Sequence, residues 1–271
     1  MAQHRLDALL VQQGIASGRD QAKAYILSGQ VLVDGQRIDK AGALVADTAQ
    51  IVFAGKSNPF VSRGGLKLAK ALAEFAIDLS GRRVLDLGAS TGGFTDCALQ
   101  NGAAEVVAVD VGYGQLAWSL RNDSRVKVME RTNARYLSLE SINGAVDFVT
   151  ADLAFISLTK VLPILPPLMK AGAEAVVLVK PQFEAGRDQV GKKGVVKDPA
   201  VHEAVIARVA DFAKGLGLIP VNIGYSPITG PEGNIEYLLH LANAAETQAE
   251  FPNRVMQVVV AAHASLQPIR R

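Results

Sequence analysis

The segment Asp86-Leu87-Gly88-Ala89-Ser90-Thr91-Gly92-Gly93-Phe94-Thr95 decides the fold. It begins in an apolar stretch and leads into residues with helical spacing, so it predicts a turn between a buried strand and a helix. Glycines at such a turn let the backbone come close to a ligand. Asp110 ends the next apolar stretch, 22 residues after Gly88, which is the usual distance for an acid that binds ribose hydroxyls. Together the turn and the acid predict a nucleoside cofactor.

The spacing of the glycines favours S-adenosyl-L-methionine over a dinucleotide. It departs from the G-x-G-x-x-G pattern, and Ser90 and Thr91 crowd the place where a pyrophosphate would lie. Asn133 follows the third predicted strand, where its amide can read the edge of an adenine. A purely structural turn is the alternative. The candidate cofactor-binding residues lie at one end of the predicted sheet: Asp86, Gly88, Ser90, Gly92, Gly93, Phe94, Asp110 and Asn133.

Strand and helix patterns alternate around this turn. The short apolar segments predicted as strands are 84–87, 106–109, 126–129, 148–151, 176–179 and 219–225. A helix is predicted to start after Asp198, an N-cap followed by proline, and to end at Gly215. Its predicted buried face comprises Val201, Val205, Val209 and Phe212. The alternation predicts a Rossmann-like α/β domain with a mostly parallel sheet, which binds ligands at the carboxyl ends of its strands.

The same segment also fits the G-x-S-x-G turn of α/β-hydrolases, in which Ser90 would be a nucleophile. That fold places several strands before the turn, whereas Gly88 follows the first predicted strand of this domain. His202, His240 and His263 lie downstream, and no pattern marks one of them as a base. The hydrolase interpretation is therefore disfavoured.

The beginning of the chain has a different pattern. Apolar spacing predicts helices over 6–13 and 19–28, each followed by a glycine, and 31–35 predicts a strand entering a hairpin turn. Basic and acidic side chains balance over residues 1–55, so charge alone does not indicate a nucleic-acid partner. Asn58-Pro59 indicates a linker over 56–60. The predicted domains are 1–57 and 58–271.

Composition limits the class of protein. The chain has 271 residues, 49% of them apolar and 20% charged, which excludes a small disulfide-stapled module and a mainly disordered chain. Lysine plus arginine number 28 against 26 acidic residues, so any nucleic-acid affinity has to come from local clusters. Cys97, the only cysteine, is expected to be buried, and no metal is expected. Interrupted or short apolar windows and the lack of an export signal predict a cytoplasmic protein without a membrane span.

Four charged residues lie where the predicted sheet opens onto its ligands. Asp152 and Lys180 each close an apolar strand, and a charge in that position is costly unless it is paired or functional. Lys67 precedes the first strand of the domain, and Glu236 lies in a glycine-containing segment near its end. A structural network of ion pairs is the alternative. The positions predict one shared polar site.

Basic residues cluster at two places in the second domain. Residues 56–73 carry four of them and no acid, and residues 187–197 carry four against one acid. The second cluster lies in a glycine-rich stretch that predicts a loop binding RNA phosphates, with a merely solvated loop as the alternative. Tyr113 and Trp118 can stack on bases, but their helical spacing beside Leu116 and Leu120 favours burial in the core.

The first domain resembles the S4 RNA-binding module. The resemblance rests on the order Arg5-Leu6-Asp7, Gly14, Arg19, Ala22, Ile26, Gly29-Gln30-Val31, Val33-Asp34-Gly35 and Lys40. Gly18 stands where these relatives usually have a serine, and glycine caps a helix nearly as well. The resemblance implies RNA contacts through the second helix and the hairpin, at Arg5, Arg19, Lys23 and Arg37.

The second domain resembles the FtsJ-like ribose 2′-O-methyltransferases, and nearly the whole chain is similar to the TlyA family, also known as haemolysins. The match rests on the strings 62–68, 86–96, 110–121, 130–135, 152–158 and 180–184. The resemblance implies S-adenosylmethionine-dependent methylation of cytidine 2′-hydroxyls in ribosomal RNA, free or within ribosomal subunits. It implies a catalytic tetrad of Lys67, Asp152, Lys180 and Glu236. It also implies RNA contacts in the second domain at Arg63, Lys70, Arg187, Lys192 and Lys193.

Lys180 is our hypothesis for the catalytic base. A lysine pKa of about 10.4 has to fall by about 3 units to suit a base at neutral pH, and burial together with the like charge of Lys67 is expected to lower it. Asp152 and Glu236 would orient the lysines and the hydroxyl. The division of roles between the two lysines stays open. The alternative function is a haemolysin-like membrane-active or RNA-binding protein without methyltransferase activity, and the sequence shows no long amphipathic segment that favours it.

Overall fold

The computed structural model describes residues 3–16, 18–27, 29–54, 58–243 and 251–266. Contacts within the chain divide it into two units, Met1–Ser57 and Asn58–Arg271, each with a hydrophobic core of its own. Part of the predicted linker, including Lys56, and the predicted helix end at Ser28 lie outside the described residues. Among those described, no helix is both long and apolar enough to cross a membrane.

The first unit combines helices with short antiparallel strands. Its helices are α1 (Leu6–Gln12) and α2 (Arg19–Leu27). Its strands are β1 (Gln3–Arg5), β2 (Val31–Val33), β3 (Gln36–Arg37), β4 (Leu44–Ala46) and β5 (Ile51–Phe53). Strand β1 pairs with β4, and β2 pairs with both β3 and β5. Leu6, Leu10, Ile26 and Val31 have no exposed surface, so burial of these side chains holds the helices against the strands.

The predicted helices and the predicted strand, turn and strand of this unit are present, and the α+β fold is confirmed. Strands β1, β4 and β5 were not predicted. Each has three residues, which is too short to show the alternation of a strand in the sequence. Pairing with distant residues, such as His4 with Val45, makes them strands.

The second unit is built on one twisted sheet. Its strands are β6 (Arg83–Leu87), β7 (Glu105–Val109), β8 (Val126–Met129), β9 (Val146–Ala151), β10 (Met169–Val179), β11 (Leu218–Tyr225) and β12 (Tyr237–Asn243). Over the described residues the order across the sheet is β11-β12-β10-β9-β6-β7-β8. Strands β6 to β10 run parallel, whereas β12 runs antiparallel to both of its neighbours. The first strand, β6, therefore lies inside the sheet with its carboxyl end beside those of β7 and β9.

Helices cover both faces of this sheet. They are α3 (Gly64–Glu74), α4 (Gly93–Gln100), α5 (Trp118–Arg121), α6 (Leu139–Ile142), α7 (Leu165–Leu168), α8 (Pro181–Glu184), α9 (Pro199–Gly215) and α10 (Phe251–Leu266). Alternate residues of β10 enter opposite cores: Val176 and Leu178 join the core under α3 and α4, and Val177 and Val179 join the core under α9 and α10. The Rossmann-like fold predicted for this domain is confirmed.

The structure corrects three details and confirms one. Strand β12 was not predicted, because a short apolar run does not reveal its own direction or partners. Phe212 was expected on the buried face of α9 but is 38% exposed, and His202 is buried on that helix instead. Tyr113 and Trp118 were expected in the core, and this prediction is wrong because they are 68% and 76% exposed. Cys97 is buried as predicted, and burial raises the pKa of its thiol to about 12.

Candidate active site

The carboxyl ends of β6, β9 and β10 bring three distant parts of the chain together. The backbone N–H of Asp152 donates to the carbonyl oxygen of Leu87 at 3.0 Å, so the residue after β9 lies beside the end of β6. Gly88 has a backbone φ of +83°, and a Cβ atom there would lie 2.7 Å from the carbonyl oxygen of Asp152. Only glycine satisfies both conditions without strain. The predicted turn therefore needs Gly88 for close packing of two strand ends.

Asp110 fastens the same turn from the neighbouring strand. One oxygen of its carboxylate accepts a hydrogen bond from the backbone N–H of Ser90 at 2.8 Å, and the other accepts from the N–H of Gly112 at 2.6 Å. A carboxylate has about four lone-pair sites, so both oxygens keep acceptor capacity for hydroxyl groups. This arrangement suits an acid that both shapes the turn and binds a ribose.

A cavity of about 400 Å³ opens beside Asp110. Its walls include Gly88, Ser90, Asp110, Asn133 and Phe155. A volume of this size with a few polar groups among apolar walls is typical of a small-molecule site. The carboxylate of Asp110 provides an acceptor for ribose hydroxyls and the amide of Asn133 provides a polar group for an adenine edge, so these residues fit S-adenosylmethionine.

Four of the predicted cofactor contacts lie outside this cavity. Asp86 has no exposed surface, and its carboxylate accepts hydrogen bonds from the hydroxyls of Thr95 at 2.7 Å and Thr150 at 2.9 Å. Burial raises the pKa of Asp86 to about 6 despite these bonds. At Gly92 a Cβ atom would overlap the side chain of Leu120. Asp86 and Gly92 therefore support the turn through contacts inside the fold, whereas Gly93 and Phe94 line a second cavity.

The second cavity has a volume of about 470 Å³ and holds the four charged residues predicted as one polar site. The Nζ atom of Lys67 lies 3.1 Å from an Asp152 oxygen and 2.7 Å from a Glu236 oxygen. The Nζ atom of Lys180 lies 2.5 Å from the other Asp152 oxygen. Asp152 therefore lies between the two lysines and contacts each with a different oxygen.

Burial and charge act in opposite directions on this cluster. Burial lowers the pKa of Lys67, but Asp152 and Glu236 outweigh it and the net shift is upward. Burial raises the pKa of Asp152, but Lys180 and Lys67 outweigh it and the net shift is downward. Both groups are thus charged at neutral pH. From the sequence, the like charge of Lys67 was expected to lower the pKa of Lys180. That expectation did not include the carboxylate of Asp152, which lies between the two ammonium groups.

Two buried residues that the sequence did not single out hold the site in shape. The carboxylate of Glu184 accepts a hydrogen bond from the hydroxyl of Ser157 at 2.7 Å and from the N–H of Leu158 at 2.6 Å, which ties the segment after β10 to the loop after Asp152. The side chain of Asn234 bonds to the N–H of Val196 and the carbonyl of Gly194. The sequence prediction relied on polar residues that directly follow an apolar strand, and neither Glu184 nor Asn234 has that position.

The predicted RNA contacts of the second unit differ in how available they are. Arg187, Lys192 and Lys193 are exposed. Arg63 lines the cavity of the tetrad and donates to the carbonyl of Thr229. The Nζ atom of Lys70 lies 3.4 Å above the ring of Tyr225 and 3.7 Å from Glu74, so this ammonium group already has partners within the fold. Lys70 is the weakest of these candidates for an RNA phosphate.

The predicted RNA contacts of the first unit also differ in how available they are. Arg19 and Lys23 are exposed, and Lys23 makes a long contact of 3.5 Å with Asp20. Arg5 forms a two-point pair with Asp7 at 3.0 and 2.8 Å. The guanidinium of Arg37 donates to the carbonyl of Gly29 at 2.8 Å. Arg19 and Lys23 are therefore the cations of this unit that are most available to a phosphate.

A mostly parallel sheet with a nucleoside-sized cavity at its carboxyl edge and a buried cluster of lysines and carboxylates beside it defines the class of S-adenosylmethionine-dependent methyltransferases. The family model described as FtsJ-like methyltransferase matches residues 60–243, and the model described as S4 domain matches residues 4–51. The chain thus belongs to the TlyA family, in which an S4 domain precedes an FtsJ-like methyltransferase domain. Its cofactor is S-adenosylmethionine.

Three similar proteins carry this assignment. A protein of Bacillus subtilis (strain 168), provisionally named rRNA methyltransferase YqxC, is 49% identical over 97% of this chain and 95% of its own. The 16S/23S rRNA (cytidine-2′-O)-methyltransferase TlyA of Mycobacterium tuberculosis (strain CDC 1551 / Oshkosh) is 53% identical over 88% of this chain and 89% of its own. A solved structure from Streptococcus thermophilus, provisionally described as a hemolysin, is 43% identical, covers 98% of this chain and 97% of its own, and superposes with a TM-score of 0.79.

Proposed function

We propose that the protein transfers a methyl group from S-adenosylmethionine to the 2′-hydroxyl of a cytidine in ribosomal RNA. The observation that carries this proposal is that the two cavities share walls. Gly88, Ser90 and Asp152 line both the nucleoside-sized cavity and the cavity of the charged tetrad. A cofactor in the first and a ribose in the second would meet across these residues, which is the positioning that a transfer reaction needs.

Lys67, Asp152, Lys180 and Glu236 are the proposed catalytic residues. When bound, S-adenosylmethionine supplies a methyl group already activated by its sulfonium charge. The protein then has to hold the ribose and remove its hydroxyl proton. The two lysines and Glu236 are at most 9% exposed, so a ribose that fills the cavity would exclude most of the water from the place where that proton moves.

The contacts support a division of roles between the two lysines. Lys67 contacts two carboxylates, and its raised pKa keeps it charged, so it suits a clamp that orients Asp152 and Glu236. Lys180 contacts only one carboxylate in the described part of the chain. We assign to Lys180, after its ammonium group has released a proton to solvent, the role of accepting the hydroxyl proton at Nζ, with Asp152 stabilising the ammonium group that forms again.

The chemistry of the site supports an oxygen rather than a base amine as the methyl acceptor. Enzymes that methylate base amines carry Asn or Asp followed by two prolines and an aromatic residue at this strand end. Here the corresponding residues are Asp152-Leu153-Ala154-Phe155. Lys180 beside the carboxylate is the proposed proton acceptor, which a hydroxyl group needs before it can attack a methyl group.

Ribosomal RNA is proposed as the substrate on two grounds. The S4 unit presents Arg19 and Lys23 on one helix, four residues apart and both exposed, which suits a phosphate backbone. The similar protein of Mycobacterium tuberculosis is named as a cytidine-2′-O-methyltransferase of 16S and 23S rRNA. Arg187, Lys192 and Lys193 are exposed and would add phosphate contacts.

The proposal is tested by incubating ribosomal RNA with the protein and labelled S-adenosylmethionine and mapping the 2′-O-methylated nucleotides. Label at the 2′-oxygen of a cytidine is expected. Label on a base, or none on any ribosomal RNA or subunit, would contradict the proposal. A full-length variant with Arg19→Ala and Lys23→Ala serves as a control for RNA docking, since it should weaken RNA binding while cofactor binding stays unchanged.

A further inference from the structure

Two large aromatic side chains point away from the core beside the active site. Tyr113 and Trp118 are 68% and 76% exposed. Their neighbours Leu116 and Leu120 are 6% and 5% exposed, so the segment itself is firmly packed. A fixed segment that keeps two aromatic rings in solvent presents a surface suited to a partner, because covering such rings is strongly favourable.

Hydrogen bonds fix this segment to the two neighbouring loops. The N–H of Ala117 donates to the carbonyl of Thr91 at 3.2 Å, and Thr91 lines the cavity of the tetrad. On the other side the N–H of Arg131 donates to the carbonyl of Gly112 at 2.9 Å. Val111 lines the nucleoside-sized cavity. The exposed rings are therefore carried by a segment that is hydrogen-bonded to both neighbouring loops and borders both cavities.

Among the described charged side chains near these rings, the one without an oppositely charged partner is an arginine. Arg121 lies 2.5 Å from Glu130, and Arg125 lies 2.7 Å from Asp123, so these charges are paired. The guanidinium carbon of Arg131 lies 4.1 Å from the centre of the Tyr113 ring, with no carboxylate partner in the described part of the chain. Exposed aromatic faces combined with an arginine are the usual means of binding unpaired nucleotides.

We propose that Tyr113, Trp118 and Arg131 form a stacking site for unpaired bases of the RNA that carries the target ribose. The three residues are called the aromatic platform below. The inference rests on the proposed function, since the platform would hold the RNA strand beside the tetrad. Charge favours RNA as the occupant, because an RNA strand supplies both the aromatic faces for the rings and the phosphates for Arg131.

The chain carries its own reporter for this contact, because Trp118 is its only tryptophan. A short oligocytidylate RNA is expected to quench the fluorescence of Trp118, whereas an abasic oligomer of the same length should bind through its phosphates and leave the emission unchanged. Unchanged emission with oligocytidylate, at concentrations where labelled oligocytidylate is bound, would overturn the proposal. Emission that depends on protein concentration without RNA would also overturn it, because a second copy of the chain would then cover the platform.

Substitutions at the platform test its effect on catalysis. Trp118→Leu and Tyr113→Leu should each raise the KM for ribosomal RNA roughly tenfold, since stacking of one base contributes on that scale. The kcat and the Kd of S-adenosylmethionine should stay unchanged. Phe212→Leu is the matched control, because Phe212 is an exposed aromatic residue on α9, and it should change none of these quantities. Both platform rings are exposed, so the variants should keep the wild-type Tm.

These measurements separate the two proposals. If wild-type protein methylates ribosomal RNA and the platform variants keep the wild-type KM, the platform is wrong and the proposed function stands. If wild-type protein methylates no RNA, the proposed function is wrong. In that case the fluorescence experiment still decides whether the platform binds unpaired bases.

Discussion

Charged side chains gather at both ends of the central sheet, and the two ends differ in how they are paired. At the carboxyl end, Lys67 and Lys180 share Asp152 inside a cavity. At the amino end, Arg82 and His240 both contact Glu174, with side chains that are 31%, 3% and 25% exposed. The first cluster packs two cations and two anions into buried space, and the second lies at the margin of the solvent.

The difference lies in which hydrogen-bond donors are still available. Each lysine ammonium has three donors, and Lys180 uses one of them on Asp152. At the amino end, the Nε and Nη2 atoms of Arg83 donate to Glu105, Nη2 also donates to the carbonyl of Ile142, and Nη1 donates to the carbonyl of Gly144. Saturated charges stabilise a fold, whereas buried charges with unused donors facing a cavity are placed to bind something else.

The largest difference between the two ends should appear in catalysis. Lys180→Met should lower the rate of methyl transfer by about 10²- to 10⁴-fold, because it removes the proposed base and keeps the length of the side chain. Cofactor binding by calorimetry and RNA binding should remain. Arg82→Met is the control at the amino end and should leave the rate unchanged. Near-normal turnover of the Lys180 variant would remove that residue from the mechanism.

The second-largest difference between the two ends of the sheet should appear in the stability of the fold. Lys67→Met leaves Glu236 buried without its lysine and Asp152 with Lys180 alone, which should lower the free energy of unfolding by about 3 kcal/mol. Urea unfolding with the Lys67→Arg variant as the control measures this loss, and the arginine variant should lose less because it keeps the charge. A loss as small as that of a surface pair would contradict the view that the carboxyl end is a desolvated cluster.

Acid should act on the two ends in different pH ranges. Near the carboxyl end, His202 is buried and bonds to Val196 and Tyr237, and burial lowers its pKa to about 4. The neutral form is favoured in the folded state, so stability is present above pH 6.5 and is lost as the pH falls towards 4. The loss should reach about 3 kcal/mol. Unfolding measured across this range should show a flatter pH dependence for His202→Gln, and an unchanged slope would contradict the assignment.

The smallest effect is expected at the amino end. His240 and Arg82 hold the pKa of Glu174 at about 2. The charged form is favoured in the folded state, so its contribution is present above pH 4.5 and is lost as the pH falls towards 2. Glu174 is partly exposed, so Glu174→Gln should lower the free energy of unfolding by only about 1 kcal/mol at neutral pH. The rate of methyl transfer should not change, and a slower rate would make this end part of the active site.

Much of the site was predictable because strand ends are local features. Asp152 and Lys180 each follow an apolar run, and parallel strands bring such residues to one edge. The role of Asp86 was not predictable, since nothing in its surroundings along the chain shows that Thr95 and Thr150 occupy its carboxylate. The exposure of Trp118 was not predictable either, because the spacing of apolar residues does not show which of them face the core.

The sequence alone determined the alternation of strands and helices, the glycine turn and the charged strand ends, because these depend on the order of neighbouring residues. Only the tertiary structure decided that Asp152 lies between two lysines, that β12 runs against its neighbours and that the platform rings face solvent. These features depend on contacts between residues far apart in the chain. For example, the Lys67–Asp152 pair joins positions 85 residues apart, and no local pattern records such a contact.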